Sequence, residues 1–257
     1  MGEIIVMDIG RFALVYLLLL IVLAVMKKCK INQTKLLVVA SIRMTVQLVL
    51  AGLVLTYIFE NPHPAFTLLY LLAMTGFAIH IVLQRNKGLN TKFKLIAGTS
   101  LAISGLLVVS FFVMVVVGVP IFNPRYTIPL SGMIMGNAMT GVSLGLKTFN
   151  ERVRAERLRI EALLAIGATP KKILTPFVNT AVETALLPTL NSMLGMGIIS
   201  LPGMMTGQIL SGTMPMTAIL YQIAIIVAIS AVSCMAVFCS LFFGYRTLYN
   251  DRNQMLI

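Results

Sequence analysis

KTFNERVRAERLRIEALLAIGATPKK, residues 147–172, is a strongly charged stretch set between two long apolar runs, and its surroundings decide how the chain folds. It holds seven of the twenty basic residues and three of the eight acidic ones. A soluble domain carries about 25% charged residues. This chain of 257 residues carries 11%, against 58% apolar residues and a mean hydropathy of +0.96. A bilayer core of about 30 Å needs about 20 largely apolar residues per helix, and such runs recur near 4–26, 36–59, 65–83, 95–119, 128–146, 173–199 and 216–243. Lipid satisfies no backbone hydrogen bonds, and the runs lack the alternation of barrel strands. They predict an all-α integral membrane protein, a polytopic bundle of about seven transmembrane helices. The connections are short, so residues 1–257 are expected to form a single transmembrane domain, with 147–172 as a cytoplasmic amphipathic segment.

Orientation follows from the basic residues, because short loops rich in Lys and Arg stay in the cytoplasm. Lys27, Lys28, Lys30 and Lys35, then Arg85, Lys87, Lys92 and Lys94, then the charged stretch, then Arg246 and Arg252, account for seventeen of the twenty bases. With seven spans all four segments fall on one side. The chain is therefore expected in the cell (plasma) membrane as a multi-pass protein, with its N-terminus outside and its C-terminus cytoplasmic. The opposite loops carry Arg125 as their one base. Such sorting accounts for the net charge of +12 without nucleic acid. The first run is long, is preceded by Glu3 and Asp8 rather than by bases, and is followed by lysines; it is expected to be a retained anchor rather than a secretory signal.

Signatures of catalysis are missing. Cys29, Cys234 and Cys239 are not spaced as metal pairs, and His63 and His80 have no carboxylate at ligand spacing. GVSLGLKT, residues 141–148, lacks the adjacent glycine and lysine that a phosphate cradle requires. No enzyme activity and no bound cofactor are expected of this chain. Seventeen methionines, several near the outer end of the sixth run, suit irregular helix packing better than cuprous-ion ligation, since no Cys or His supports them. No metal site is assigned.

Polar groups at membrane depth are costly and face protein or water. Arg43 and Gln47 are four apart on the second run, and Asn179, Thr180, Glu183, Thr184 and Asn191 recur at helical spacing on the sixth, around Pro188. Three uses of Glu183 stay open: an ion pair with a base such as Arg43, a place near the inner interface, or a substrate contact. Gly132 with Gly136, and Gly141 with Gly145, let another helix approach, either within the chain or across a dimer.

Within the charged stretch, Phe149, Val153, Ile160 and Leu164 share a helix face. Glu151 with Arg154, Glu156 with Arg159 and Arg157 with Glu161 are placed to pair. An amphipathic helix continuing from the fifth span is predicted. Its interleaved acids favour a protein partner over a lipid surface, which calls for a mostly basic polar face.

Glu161, Ala162 and Gly167 stand as in the EAA-x3-G loop of ABC importer permeases, the element that docks on the ATPase subunit. More specific is the order of IPLSGMIMGNAM (128–139), AIGATPKKI (165–173), LPTLNS (187–192), SLPGMMTGQILSG (200–212) and YQI (221–223). In that order and spacing the chain resembles the FetB-type permeases, ABC membrane subunits associated with iron export, with plant relatives linked to aluminium tolerance. The similarity runs from Arg43 to beyond Tyr245.

The resemblance implies a permease that exports iron or another metal ion, or a small metal complex, using ATP and Mg held by a separate cytoplasmic ABC ATPase subunit, and that works as a homodimer in the bilayer. It implies ATPase coupling through Arg157, Glu161, Ala162, Gly167, Ala168, Thr169 and Pro170. A translocation pathway past Arg43, Gln47, Asn137, Asn179, Glu183, Asn191, Pro202 and Gly203 is expected with it, with Pro202, Gly203 and Gly207 forming a turn outside the polar stripe. Some members of the family carry a carboxylate where this chain has the neutral Asn191. Two other classes remain open on the residues alone: an ATP-independent secondary transporter or channel for a small cation, and a scaffold recruiting partners through its basic loops.

Overall fold

The structure is a computed structural model that describes residues 9–86 and 88–250. Residues 4–8 of the first predicted span, together with Glu3, Lys87 and Arg252, lie outside the described residues. Among the described residues the only elements are helices joined by short connections, with one isolated bridge between Met196 and Ser200. Long helices coincide with all seven predicted runs: α1 (Ile9–Lys28), α2 (Thr34–Glu60), α3 (Pro64–Arg85), α4 (Thr91–Phe111, continued by a π-helical turn Phe112–Val116), α5 (Pro124–Ala155), α7 (Pro170–Gly195) and α9 (Pro215–Gly244). Two short helices, α6 (Arg157–Ala165) and α8 (Gly203–Leu210), lie between them.

Among the described residues four stretches are long and apolar enough to cross a membrane by length and composition: Thr34–Glu60, Pro64–Arg85, Thr91–Val116 and Pro215–Leu248. This is an all-α membrane protein. Both α5 and α7 have the length, 32 and 26 residues, but are diluted by polar side chains, glycines and prolines.

Helix starts are written plainly in the sequence. Proline, whose missing N–H costs nothing in the first turn, opens α3, α5, α7 and α9. Side-chain caps add to it: His63 Nδ1 accepts from the Ala65 amide at 3.2 Å, and Asn123 Oδ1 accepts from the Arg125 amide at 3.2 Å. Asn90 Oδ1 accepts from the Phe93 amide at 2.7 Å, while its Nδ2 donates to the Thr247 carbonyl at 2.8 Å, so one residue both starts α4 and ties down the turn after α9. Capping therefore accounts for His63, which the sequence left without a role.

The chain divides into two units: residues up to Pro62 with Leu210–Gly212, carrying α1 and α2, and the remainder, carrying α3 to α9. In the first unit the Tyr16 hydroxyl meets Thr45 Oγ1 across the α1–α2 hairpin. Leucine, isoleucine and valine side chains of both helices are largely exposed, as lipid-facing residues are. In the second unit α9 packs on α4, α5 and α7, and α5 also packs on α3. The buried core runs through Phe93, Leu101, Ile134, Leu146, Phe149, Ile225 and Leu241.

Small residues allow those contacts. A Cβ at Gly145 would lie 2.8 Å from Val237 Cγ1 and 3.3 Å from Ala185 Cβ, and one at Gly141 would lie 3.5 Å from Ser233 Cβ. The second glycine pair of α5 thus serves packing within the chain. In the first pair Gly132 faces Met74 of α3, whereas Gly136 has nothing within 4 Å.

Two expectations need correcting. The charged stretch is not one helix running on from the fifth span: α5 continues to Ala155, Glu156 leaves the helical region at φ −102° and ψ 19°, and α6 is a separate nine-residue helix. Pro202, Gly203 and Gly207 do not form a turn. Pro202 starts α8, its carbonyl accepting from the Thr206 amide at 2.9 Å and from Thr206 Oγ1 at 3.1 Å.

Candidate functional site

Two features stand out: the elbow from the end of α5 through α6 to α7, and the polar face of α7. The elbow is anchored from within, since Phe149, Val153 and Ile160 are buried and Leu163 and Leu164 pack against the core. Ion pairs lie on its surface. Arg157 Nε meets Glu161 Oε1 at 2.8 Å, and Arg159 Nη1 meets Glu156 Oε2 at 2.9 Å, as the spacing predicted. Glu151 instead pairs with Lys147 at 3.8 Å, because Arg154 turns toward the Gly88 carbonyl, 3.4 Å from its Nη2. Exposed pairs of this kind contribute about 0.3–0.5 kcal/mol each, so they set helix orientation more than stability.

The end of α6 is sharply defined. Gly167 has φ +88°, its amide donates to the Leu164 carbonyl at 3.0 Å, and the Ala168 amide donates to the Leu163 carbonyl at 3.0 Å. This crossed pair is a Schellman stop, which places glycine at the left-handed position because a Cβ there is strained. Thr169 follows in an extended conformation, and Pro170 opens α7. Gly167, Ala168, Thr169 and Pro170 are thus brought into one rigid corner, next to Glu161 and Ala162 on the exposed side of α6.

An apolar stripe on that exposed side escaped the sequence reading. Leu158 is 82% exposed and Ile166 80%; Leu158 and Ala162 lie on the face of α6 opposite the buried Ile160, and Ile166, the residue capping the helix, follows four residues on. The i, i+4, i+8 spacing is the signal that reveals it. The reading followed the face of Phe149, Val153, Ile160 and Leu164 and did not consider Leu158 or Ile166.

On α7 the buried side is Ile173, Leu174, Val178, Ala181 and Ala185. Asn179, Glu183 and Asn191 lie on the exposed side, and Glu183 makes no ion pair among the described residues. Pro176 and Pro188 each remove a backbone donor from this helix. Nearby hydroxyls turn inward on the helix itself: Thr180 Oγ1 donates to the Pro176 carbonyl at 3.1 Å, Thr184 Oγ1 to the Thr180 carbonyl at 2.8 Å, and Ser192 Oγ to the Pro188 carbonyl at 2.9 Å.

Asn137 of α5 meets α7 in a small cleft of about 90 Å³ shared with Thr140, Thr189 and Ser192. Its Nδ2 donates to the Met133 carbonyl at 2.8 Å. Asn179, Glu183 and Asn191 lie outside that cleft. Arg43 and Gln47 are exposed one turn apart on α2, in the other unit. Pro202 and Gly203 belong to the start of α8.

No group of three or more His, Cys, Asp or Glu able to hold a metal occurs among the described residues. The methionines act in packing: Met193 Sδ accepts from Ser230 Oγ at 3.4 Å, and Met196 Sδ from Gln222 Nε2 at 3.8 Å. All three cysteines are free.

Long apolar helices with one charged elbow and one polar helix face define a multi-pass, all-α membrane protein. Residues 9–249 match the Uncharacterised protein family (UPF0014), and the chain belongs to it. It is 32% identical to the UPF0014 membrane protein YjkA of Bacillus subtilis (strain 168), over 97% of this chain and 98% of that one. To the Probable iron export permease protein FetB of Escherichia coli (strain K12) it is 31% identical, over 95% and 93%. Protein ALUMINUM SENSITIVE 3 of Arabidopsis thaliana is 36% identical over 71% of this chain and 66% of its own length. No solved structure matches the chain.

Proposed function

We propose that this chain is the membrane-spanning permease subunit of an ABC transporter. It has seven spans and a cytoplasmic C-terminus, and it exports a metal ion or small metal complex with ATP hydrolysed by a separate cytoplasmic subunit. The observation that carries this reading is the elbow: a short helix with a solvent-facing stripe of Leu158, Ala162 and Ile166, ended by a Schellman glycine and locked at Pro170 onto α7. Exposed apolar side chains of this size beside charged ones mark a protein contact. A push on α6 reaches α7 through the corner at Gly167, because no flexible linker intervenes.

Iron comes from the relative in Escherichia coli, whose name is probable iron export permease. Ferrous and ferric ions favour carboxylate and imidazole ligands, and α7 offers Glu183 with the amides of Asn179 and Asn191. An exposed carboxylate on a membrane helix is stable only against water or another protein surface. A second copy of the chain facing α7 across a water-filled path supplies both. No residue of this chain binds ATP or Mg in this account, and none performs chemistry.

The test is reconstitution in proteoliposomes with a cytoplasmic ABC ATPase subunit from the same organism. Metal-dependent ATP turnover that collapses with Glu161→Arg supports the assignment. Metal movement without any ATPase selects the secondary transporter or channel instead.

A further inference from the structure

We propose that the cleft enclosed by α5, α6 and α7 on the inner side of the elbow binds the phosphate headgroup of an anionic phospholipid. The cleft holds about 240 Å³ and is lined by cations from three helices, Arg152 of α5, Arg159 of α6 and Lys172 of α7. Its one carboxylate, Glu156, is taken by Arg159 Nη1 at 2.9 Å. Arg152 and Lys172 are left without a carboxylate among the described residues. The Arg152 guanidinium is held toward α7, its Nη1 3.5 Å from Thr180 Oγ1. Like charges gathered in one cleft repel unless an anion joins them, and Lys172 stands in the first turn of α7, where the helix dipole adds to the positive field.

The remaining wall is apolar. Ile173, Pro176 and Phe177 of α7 line the cleft between Lys172 and Thr180, where the Arg152 guanidinium is held. Cations flanking an apolar wall suit an amphiphile. An acidic side chain of a protein partner would use the cations but not the wall. Ile160 lines the cleft, whereas Leu158 and Ala162 lie on the opposite face of α6 and Ile166, at its C-cap, is also outside the cleft. The lipid therefore leaves the partner-facing stripe uncovered. Basic pockets between membrane helices on the cytoplasmic side are the kind that hold anionic headgroups. The site rests on the proposed function only for the orientation that puts the elbow at the inner leaflet. With a headgroup bound, α5, α6 and α7 are bridged and the elbow is stiffened.

Native mass spectrometry of the purified full chain in detergent, equilibrated with equal phosphatidylglycerol and phosphatidylcholine and without any ATPase, reads the site directly. Phosphatidylglycerol should be retained preferentially, and the double variant Arg152→Gln/Lys172→Gln should bind it about tenfold or more weakly. Arg152→Lys should keep most of the binding, and Lys92→Gln, at the start of α4, should keep all of it. Circular dichroism of each variant separates lost binding from lost folding, and should the double variant misfold, the two single variants are compared instead. Equal retention of the two lipids, or unchanged retention in the charge-removing variants, overturns the proposal. Displacement of the lipid by millimolar inorganic phosphate reassigns the cleft to free phosphate. Variants that keep the lipid but lose a co-purifying ATPase make it a protein contact. Because the lipid arm contains no ATPase, its failure is independent of the coupling assignment.

Discussion

The amide of Ala168 donates to the carbonyl oxygen of Leu163 at 3.0 Å, and that bond closes the corner between α6 and α7. It forms because Gly167 sits at φ +88°, where the chain reverses within one residue. A side chain at that position costs about 1–3 kcal/mol of backbone strain. Gly167→Leu should therefore loosen the corner and abolish stimulation of the ATPase while leaving membrane insertion intact. Gly167→Asn, which tolerates the left-handed region better, should retain part of the stimulation. Nucleotide turnover measured with equal amounts of inserted permease checks both.

The stripe of Leu158, Ala162 and Ile166 touches nothing in the core, so its removal should cost little folding stability, within about 0.5 kcal/mol. Leu158→Asp or Ile166→Asp should weaken the ATPase complex about tenfold or more, which is about 1.4 kcal/mol. Co-purification together with thermal unfolding distinguishes this from misfolding. Equal losses in both would show that the stripe is structural.

Gly145 and Gly136 make opposite predictions. A Cβ at Gly145 would meet Val237 at 2.8 Å and Ala185 at 3.3 Å, so Gly145→Val should destabilise the α5–α9 contact by about 1–3 kcal/mol. Gly136→Ala meets nothing within 4 Å and should be silent in the monomer. If Gly136 packs against a second copy, its bulkier variant Gly136→Leu should instead shift the oligomer distribution in size-exclusion profiles.

Asn90 caps α4 through Phe93 and holds the Thr247 carbonyl. Asn90→Ala removes both bonds, and losing a cap alone costs about 1 kcal/mol. The melting temperature in detergent should fall, whereas Asn90→Asp, which keeps the cap but cannot donate to Thr247, should fall less.

Much of the helical layout was legible because hydrophobic run length, flanking lysines and the prolines at 64, 124, 170 and 215 carry direct physical meaning at helix ends. What escaped was local. The break at Glu156 has no glycine or proline to announce it, and α8 hides behind Pro202 and Gly203, residues that read as a turn until Thr206 bonds back to the Pro202 carbonyl. The site divided the same way. Gly167 and Pro170 declared the corner, since few residues tolerate those conformations. The cleft joining Asn137 to Ser192 depends on how α5 and α7 pack, which no one-dimensional spacing displays. Leu158 and Ile166 went unassigned because an apolar residue looks alike on either face of a short helix.

Glu183 tests the pathway on α7. Its exposed carboxylate has no ion-pair partner among the described residues, so Glu183→Gln should leave insertion and melting unchanged while metal efflux from loaded vesicles falls about tenfold. Unchanged efflux would remove Glu183 from the route.

The most direct measurement is site-specific cross-linking at the elbow in intact cells. With Cys29, Cys234 and Cys239 replaced by serine and Leu158→Cys introduced, a short thiol cross-linker should join the permease to a nucleotide-binding subunit, with a yield that changes when ATP is trapped. A membrane-impermeant maleimide applied outside should leave the same position unlabelled. Labelling from outside, or cross-links to no nucleotide-binding protein, would contradict the account.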